Sequence, residues 1–162
     1  MERLSENLNL ENILLIAACI VNLFFAILIF SKDRSKISNS FFSLIAVSVA
    51  LWALSRALFE IAISPVYTQL WAQVLYMSAA FIPIFFLFFS ISFGSEKIPV
   101  SKWHIGLIIA SCVSILISVL TPGFVIDDIR IGAAGKSITF GPGNWIYSGY
   151  IIFYFLLSFS IL

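Results

Sequence analysis

The chain has 162 residues, of which 61% are hydrophobic, 16% aromatic and only 10% charged, against roughly 25% charged in a soluble domain; its mean hydropathy is +1.08. Nine basic and eight acidic side chains are too few to cover a water-soluble domain of this size, so the chain is read as an integral membrane protein with the lipid bilayer as its first partner. A net charge of +1 excludes the broad basic surface that nucleic acid binding requires. Cys19 and Cys112 each lie in an apolar run with no second Cys or His at ligand spacing, so they read as small buried apolar side chains, with no disulfide framework, metal site or other cofactor expected.

The first apolar run, Ile13 to Phe30, is just long enough to cross a hydrocarbon core. Glu2, Glu6 and Glu11 precede it and Ser-Lys-Asp-Arg-Ser-Lys follows. A secretory signal peptide has the reverse arrangement, with its basic residues first, so this run reads as a retained helix. Four more runs follow, Phe41 to Ile63, Thr68 to Phe93, Trp103 to Leu120 and Trp145 to Leu162. The expected fold is therefore all-α, a polytopic bundle of about five transmembrane helices forming one membrane domain over residues 1–162. Lys32, Arg34, Lys36, Lys97 and Lys102 fall in the loops 31–40 and 94–102, whereas the opposite side carries only Arg3, Arg130 and Lys136 outside the spans. The positive-inside rule then places those two loops in the cytoplasm and the N-terminus outside. The last run stops at Leu162 while still fully apolar, which reads as a bundle truncated at the C-terminus.

Between the fourth and fifth runs, Phe124 to Ile131 and Ser137 to Phe140 are short β-favouring stretches around a Gly-Ala-Ala-Gly-Lys turn, and they predict a small extracellular β-hairpin. Trp71, Trp103 and Trp145 lie near run ends, where amphipathic rings anchor at headgroup level. Small-residue faces, Ala18, Asn22 and Ala26 on the first helix and Ala110, Ser114 and Ser118 on the fourth, predict close helix packing. Pro83 predicts a kink in the third helix.

Polar side chains inside spans must find partners or water, so they mark inward faces. Ser48, Trp52, Arg56 and Glu60 recur every four residues on the second helix, and Arg56 and Glu60 are spaced to pair. Gln69, Gln73, Tyr76, Ala80 and Pro83 share a face of the third helix, and Tyr147, Tyr150 and Tyr154 share a face of the fifth. With alternating helix directions, Trp52, Arg56, Glu60, Gln73, Tyr76, Tyr147 and Tyr150 fall at one depth in the outer half. This cluster is the candidate binding site for a small ligand with an apolar body and an anionic or hydrogen-bonding head. The alternative for the same residues is interhelical glue, with Arg56 snorkelling beside Glu60.

Catalytic chemistry has no foothold here. His104 stands alone at a helix start, Asp127 and Asp128 are adjacent in a strand and point to opposite faces, and the glycines after Gly132 lack the Lys-Ser/Thr of a phosphate loop. The chain itself therefore reads as non-enzymatic.

The order of motifs is nevertheless distinctive. Leu51-Trp-Ala-Leu-Ser-Arg-Ala-Leu-Phe-Glu60, then Ser64-Pro65, Leu70-Trp-Ala-Gln-Val-Leu-Tyr76, Pro83 with its Phe-rich tail, and Phe140-Gly-Pro-Gly-Asn-Trp145 opening an aromatic helix together resemble the N-terminal seven-helix membrane region of bacterial histidine kinases, over nearly the whole chain. The resemblance implies a sensor input in the bacterial inner membrane, joined in cis to a cytoplasmic output module absent from these residues, with an unknown small ligand and a homodimeric assembly. The competing classes are a fragment of a multi-span transporter or channel, which needs a polar pathway through both faces, and a membrane transferase, which needs an acid or His/Asp pair at a membrane face.

Overall fold

The computed structural model describes residues 10–93, 100–132 and 135–162. It contains five helices, α1 Leu10–Lys32, α2 Ile37–Ile61, α3 Pro65–Ser92, α4 Lys102–Leu120 and α5 Asn144–Ile161, with strands β1 Ile126–Gly132 and β2 Gly135–Phe140 between α4 and α5. Each helix is long and apolar enough to cross a membrane, so the all-α polytopic bundle with its small hairpin is as expected. Glu2, Arg3, Glu6, Glu96, Lys97 and the Ala133–Ala134 turn lie outside the described residues.

The helices run past the apolar runs at several ends because flanking residues such as Lys32 and Ser38 keep helical hydrogen bonding where water is available. The sharp break between α2 and α3 has a local cause. Ala62 and Ser64 are extended, and Pro65 opens α3 at its first turn, where a missing N–H costs nothing and the preceding residue is steered out of the helical region. The loop between α1 and α2 is tied by Asp33, which accepts from the Ser35 hydroxyl at 2.6 Å and amide at 3.1 Å. These bonds hold its carboxyl below the ordinary value.

With 28 residues, and so a rise of about 42 Å, α3 is the axis of the bundle. It packs against α2, α4 and α5, whereas α1 packs against α2. The main core gathers Phe59, Ala72, Ala80, Ile84, Leu87 and Phe88 with Cys112, Ile115 and Val119 of α4 and the three tyrosines of α5. The α1–α2 seam is built from small residues, Cys19 against Ala50 and Ala53, and Ser43 Oγ donates across it to the Ala26 carbonyl at 3.0 Å. Close backbone approach is how helices associate in lipid, where no hydrophobic force separates partner from solvent. Cys19 and Cys112 are buried, as expected.

The fourth helix corrects one expectation. Its packed face is Cys112, Ile115 and Val119, while Ala110 and Ser114 are exposed and Ser118 is half-buried. The reason is that Ser114 and Ser118 hydroxyls donate to the Ala110 and Ser114 carbonyls of their own helix, both at 2.8 Å. A serine so satisfied can face lipid, and polarity no longer marks the interior. Trp103 and Trp145 are exposed at helix starts, but Trp71 is half-buried against the core. The α3 helix continues unbroken through Pro83.

The hairpin is antiparallel, with Ile129 opposite Ile138 and Arg130 opposite Ser137. A bulge between Ile126 and Asp128 interrupts the strict alternation expected for Asp127 and Asp128. Its base is fastened to α5. The Gly141 amide donates to the Val125 carbonyl at 3.1 Å and the Gly143 amide to the Phe124 carbonyl at 2.8 Å. A side chain at Gly141 would collide with the Gly123 and Phe124 carbonyls, and one at Gly143 with the Phe124 ring, which explains the glycines on both sides of Pro142.

Candidate functional site

Because α2 and α5 each pack on α3 without packing appreciably on each other, a cleft of about 440 Å³ remains between them. Trp52 and Arg56 of α2 form one wall. Tyr147, Ile151 and Phe155 of α5 form the other, and Leu75, Tyr76, Ala79 and Ile82 of α3 form the floor. Ile138 of β2 closes the end nearest the hairpin. Each set follows from three- and four-residue spacing on its helix. The volume lies within the range of small-molecule sites.

The charged end is organised around Arg56. Its Nη2 lies 2.9 Å from Glu60 Oε1 and 3.6 Å from Glu11 Oε1 at the start of α1, and its guanidinium stands 5.6 Å over the Phe59 ring. The side chains are partly exposed, so the helical pair contributes only about 0.5 kcal/mol. Its larger effect is to fix the guanidinium beside the cleft. Next to it, the Lys136 ammonium of β2 donates to the Phe59 carbonyl at 2.5 Å, the Glu60 carbonyl at 2.9 Å and the Ala62 carbonyl. Those are carbonyls of the last turn of α2, which a cation satisfies both by hydrogen bonding and against the helix dipole. Burial draws the Lys136 ammonium below the ordinary lysine value, and the Glu60 carboxylate opposes that shift.

The aromatic end is sewn rather than merely packed. The Tyr147 hydroxyl donates to the Tyr76 carbonyl at 2.9 Å and the Tyr150 hydroxyl to the Ala80 carbonyl at 3.0 Å. Tyr154 and Ser111 share a hydrogen bond of 2.6 Å between α5 and α4. The Tyr76 ring meets Tyr147 edge-on at 5.4 Å and Phe140 at 6.1 Å. Pro83 has no N–H to give the Ala79 carbonyl, one turn back on the floor of the cleft.

Of the seven residues singled out from the sequence, Trp52, Arg56, Tyr76 and Tyr147 line the cleft. Glu60 reaches it through Arg56. Tyr150 is buried in the α3–α5 seam, and Gln73 is half-buried on α3 off the cleft wall. Gln69 borders a separate small hollow with Asp128 under the hairpin. The sequence reading overlooked the apolar lining. Ile151 and Phe155 follow Tyr147 at four-residue steps, a signal that was present, whereas nothing local announces that Lys136 will reach the end of α2.

Among the described residues no cluster of His, Cys, Asp or Glu is arranged to hold a metal. The family model described as the N-terminal 7TM region of histidine kinase matches residues 14–162. No curated protein matches the chain, and no solved structure matches it.

Proposed function

The chain belongs to the family of N-terminal 7TM regions of histidine kinases, and we propose that it is a sensor input that passes an external or membrane-borne signal to a cytoplasmic output module joined to it in cis. In this reading the bacterial inner membrane holds the bundle with the N-terminus and hairpin outside, as the lysines and arginine of loop 31–40 favour, and two copies pair to serve a dimeric output. The chain contributes no catalytic group and takes no cofactor. Its task is to convert occupancy of the cleft into a change of helix packing.

The observation that carries this reading is the cleft itself. A cavity with one cation and several aromatic rings sits between two helices that do not pack appreciably on each other, bridged by a third. Such a gap has two packings, open and closed, and a ligand with different contacts in each shifts their populations. Arg56 joins α1, α2 and, through the neighbouring Glu60 and Lys136, the hairpin, so a change there reaches three elements. The test is the signalling response of the full-length protein carrying Arg56→Ala or Tyr76→Ala. Both variants are expected to lose or lock the response. Normal responses to every stimulus that drives the wild type would remove the cleft from the sensing mechanism.

A further inference from the structure

We propose that the cleft takes a single-chain anionic amphiphile, with a carboxylate or phosphate head, supplied sideways from the surrounding bilayer leaflet; this rests on the cleft being the sensing site and names what it senses.

The first argument is polarity along the cleft. Arg56, Tyr76 and Tyr147 lie at the hairpin end, and Ile82, Ile151 and Phe155 carry the lining away from it. From Tyr147 to Phe155 the rise is about 12 Å along α5. Arg56 lies five residues from the end of α2 and Tyr147 three residues from the start of α5, so the polar end lies toward the helix ends and the apolar end toward the middle of the spans. A lipid-like molecule already has that orientation in the leaflet and enters without turning over.

The second argument is access. Among the described residues, α2 and α5 do not pack appreciably on each other, and Trp52, on the α2 wall, is 38% exposed. On α5, Ile152 and Leu156 follow the wall residues Ile151 and Phe155 and are exposed apolar side chains of a membrane-spanning helix. The hairpin residue Ile138 covers the end of the cleft, so the side facing lipid is the freer route.

The third argument is charge. Arg56 is the only charged residue lining the cleft among the described residues, and both of its ion pairs use Nη2. Among the described residues no ion pair or hydrogen bond engages Nη1 or Nε, which leaves three N–H donors for a carboxylate or phosphate, while both bidentate edges of the guanidinium include the Nη2 that Glu11 and Glu60 hold. An anionic head there competes with Glu11 and Glu60 for the same guanidinium. Occupancy thereby loosens the start of α1 and the last turn of α2 together.

The test places the full-length protein in phosphatidylcholine nanodiscs, with Trp71, Trp103 and Trp145 changed to Phe, and follows quenching of Trp52 by a mid-chain dibrominated stearate. A saturable component is expected above the linear background of the bilayer. The uncharged methyl ester gives the background alone. Arg56→Gln raises the half-saturating probe fraction at least about tenfold, as loss of a charge-assisted hydrogen bond does, and Ala79→Phe, which fills the floor and spares the charges, abolishes saturation. Water-soluble bromohexanoate gives no saturable quenching. In the unmutated protein a diazirine-bearing palmitate labels Ile82, Ile151 or Phe155, and unlabelled palmitate competes. The proposal is overturned by purely linear quenching, which is what a cleft filled by another helix or a second copy would give. It is equally overturned by saturation that the ester shares or that survives both variants, by saturation with bromohexanoate alone, or by label spread evenly over Ile109, Val113 and Phe153. If binding fails while Arg56→Ala still abolishes signalling, the sensor reading stands and only the ligand class falls.

Discussion

The Lys136 ammonium reaches across 76 residues of sequence to donate to the Glu60 carbonyl at 2.9 Å, while the Glu60 carboxylate holds Arg56 at 2.9 Å. One residue of α2 thus joins the hairpin to the cleft, its backbone serving one and its side chain the other.

Replacing Lys136 with Met removes the donor from three carbonyls of the α2 terminus and is expected to cost about 1–3 kcal/mol of local stability. Hydrogen exchange should quicken over residues 58–62 and over both strands, and a protease should cut the hairpin sooner. Lys136→Arg, which keeps the charge, should recover part of the protection. Equal exchange rates in wild type and Lys136→Met would show that the hairpin is not anchored there.

The Gly141-Pro142-Gly143 turn gives a sharper contrast. Gly143→Ala drives a methyl group into the Phe124 ring and should destabilise by about 1–3 kcal/mol, the cost of overpacking. Adding Phe124→Leu should restore most of it, because the obstacle is a side chain. Gly141→Ala meets backbone carbonyls, so the same second change should not rescue it. Unfolding in bicelles, compared across the four variants, reads the difference directly.

Much of this architecture was legible because apolar length and turn composition are properties of single segments. The five spans, the hairpin between the last two, and the pairing of Arg56 with Glu60 needed only hydropathy, turn residues and the four-residue period. What escaped was which face of a span meets another helix. In water, polarity marks the outside; in lipid, a serine bonded to its own helix, such as Ser114, is as comfortable outside as Ile115 is inside. The cleft was found through its polar residues, Arg56, Tyr76 and Tyr147, and its apolar half was missed because Ile151 and Phe155 look like any lipid-facing side chains. Tyr150 shares the helix face of Tyr147 but joins helices by its bond to the Ala80 carbonyl. Lys136 lay beyond reach, since its role depends on a contact between distant segments.

The tyrosine seam has a modest expected energy. Tyr147→Phe and Tyr150→Phe each delete one hydroxyl bonded to an α3 carbonyl and should each cost about 0.6 kcal/mol, the usual value for such bonds within a bilayer. Because both carbonyls also belong to the α3 helix, neither loss should unfold the bundle. Thermal or steric-trap unfolding of the single and double variants checks this, and a double variant as stable as wild type would argue that the hydroxyls contribute nothing to the α3–α5 contact.

The central claim is that the spacing of α2 and α5 across the cleft sets the output. The most direct measurement is the basal rate of the output activity of the full-length protein in nanodiscs carrying Ala79→Phe, beside a control with the same added bulk on the exposed face of α4, Ile109→Phe. The account predicts that filling the cleft shifts the rate by at least about fivefold, the lower end of ordinary coupling between sites, while the control stays at the wild-type rate. Equal rates in all three proteins, with each folded and inserted, would contradict it.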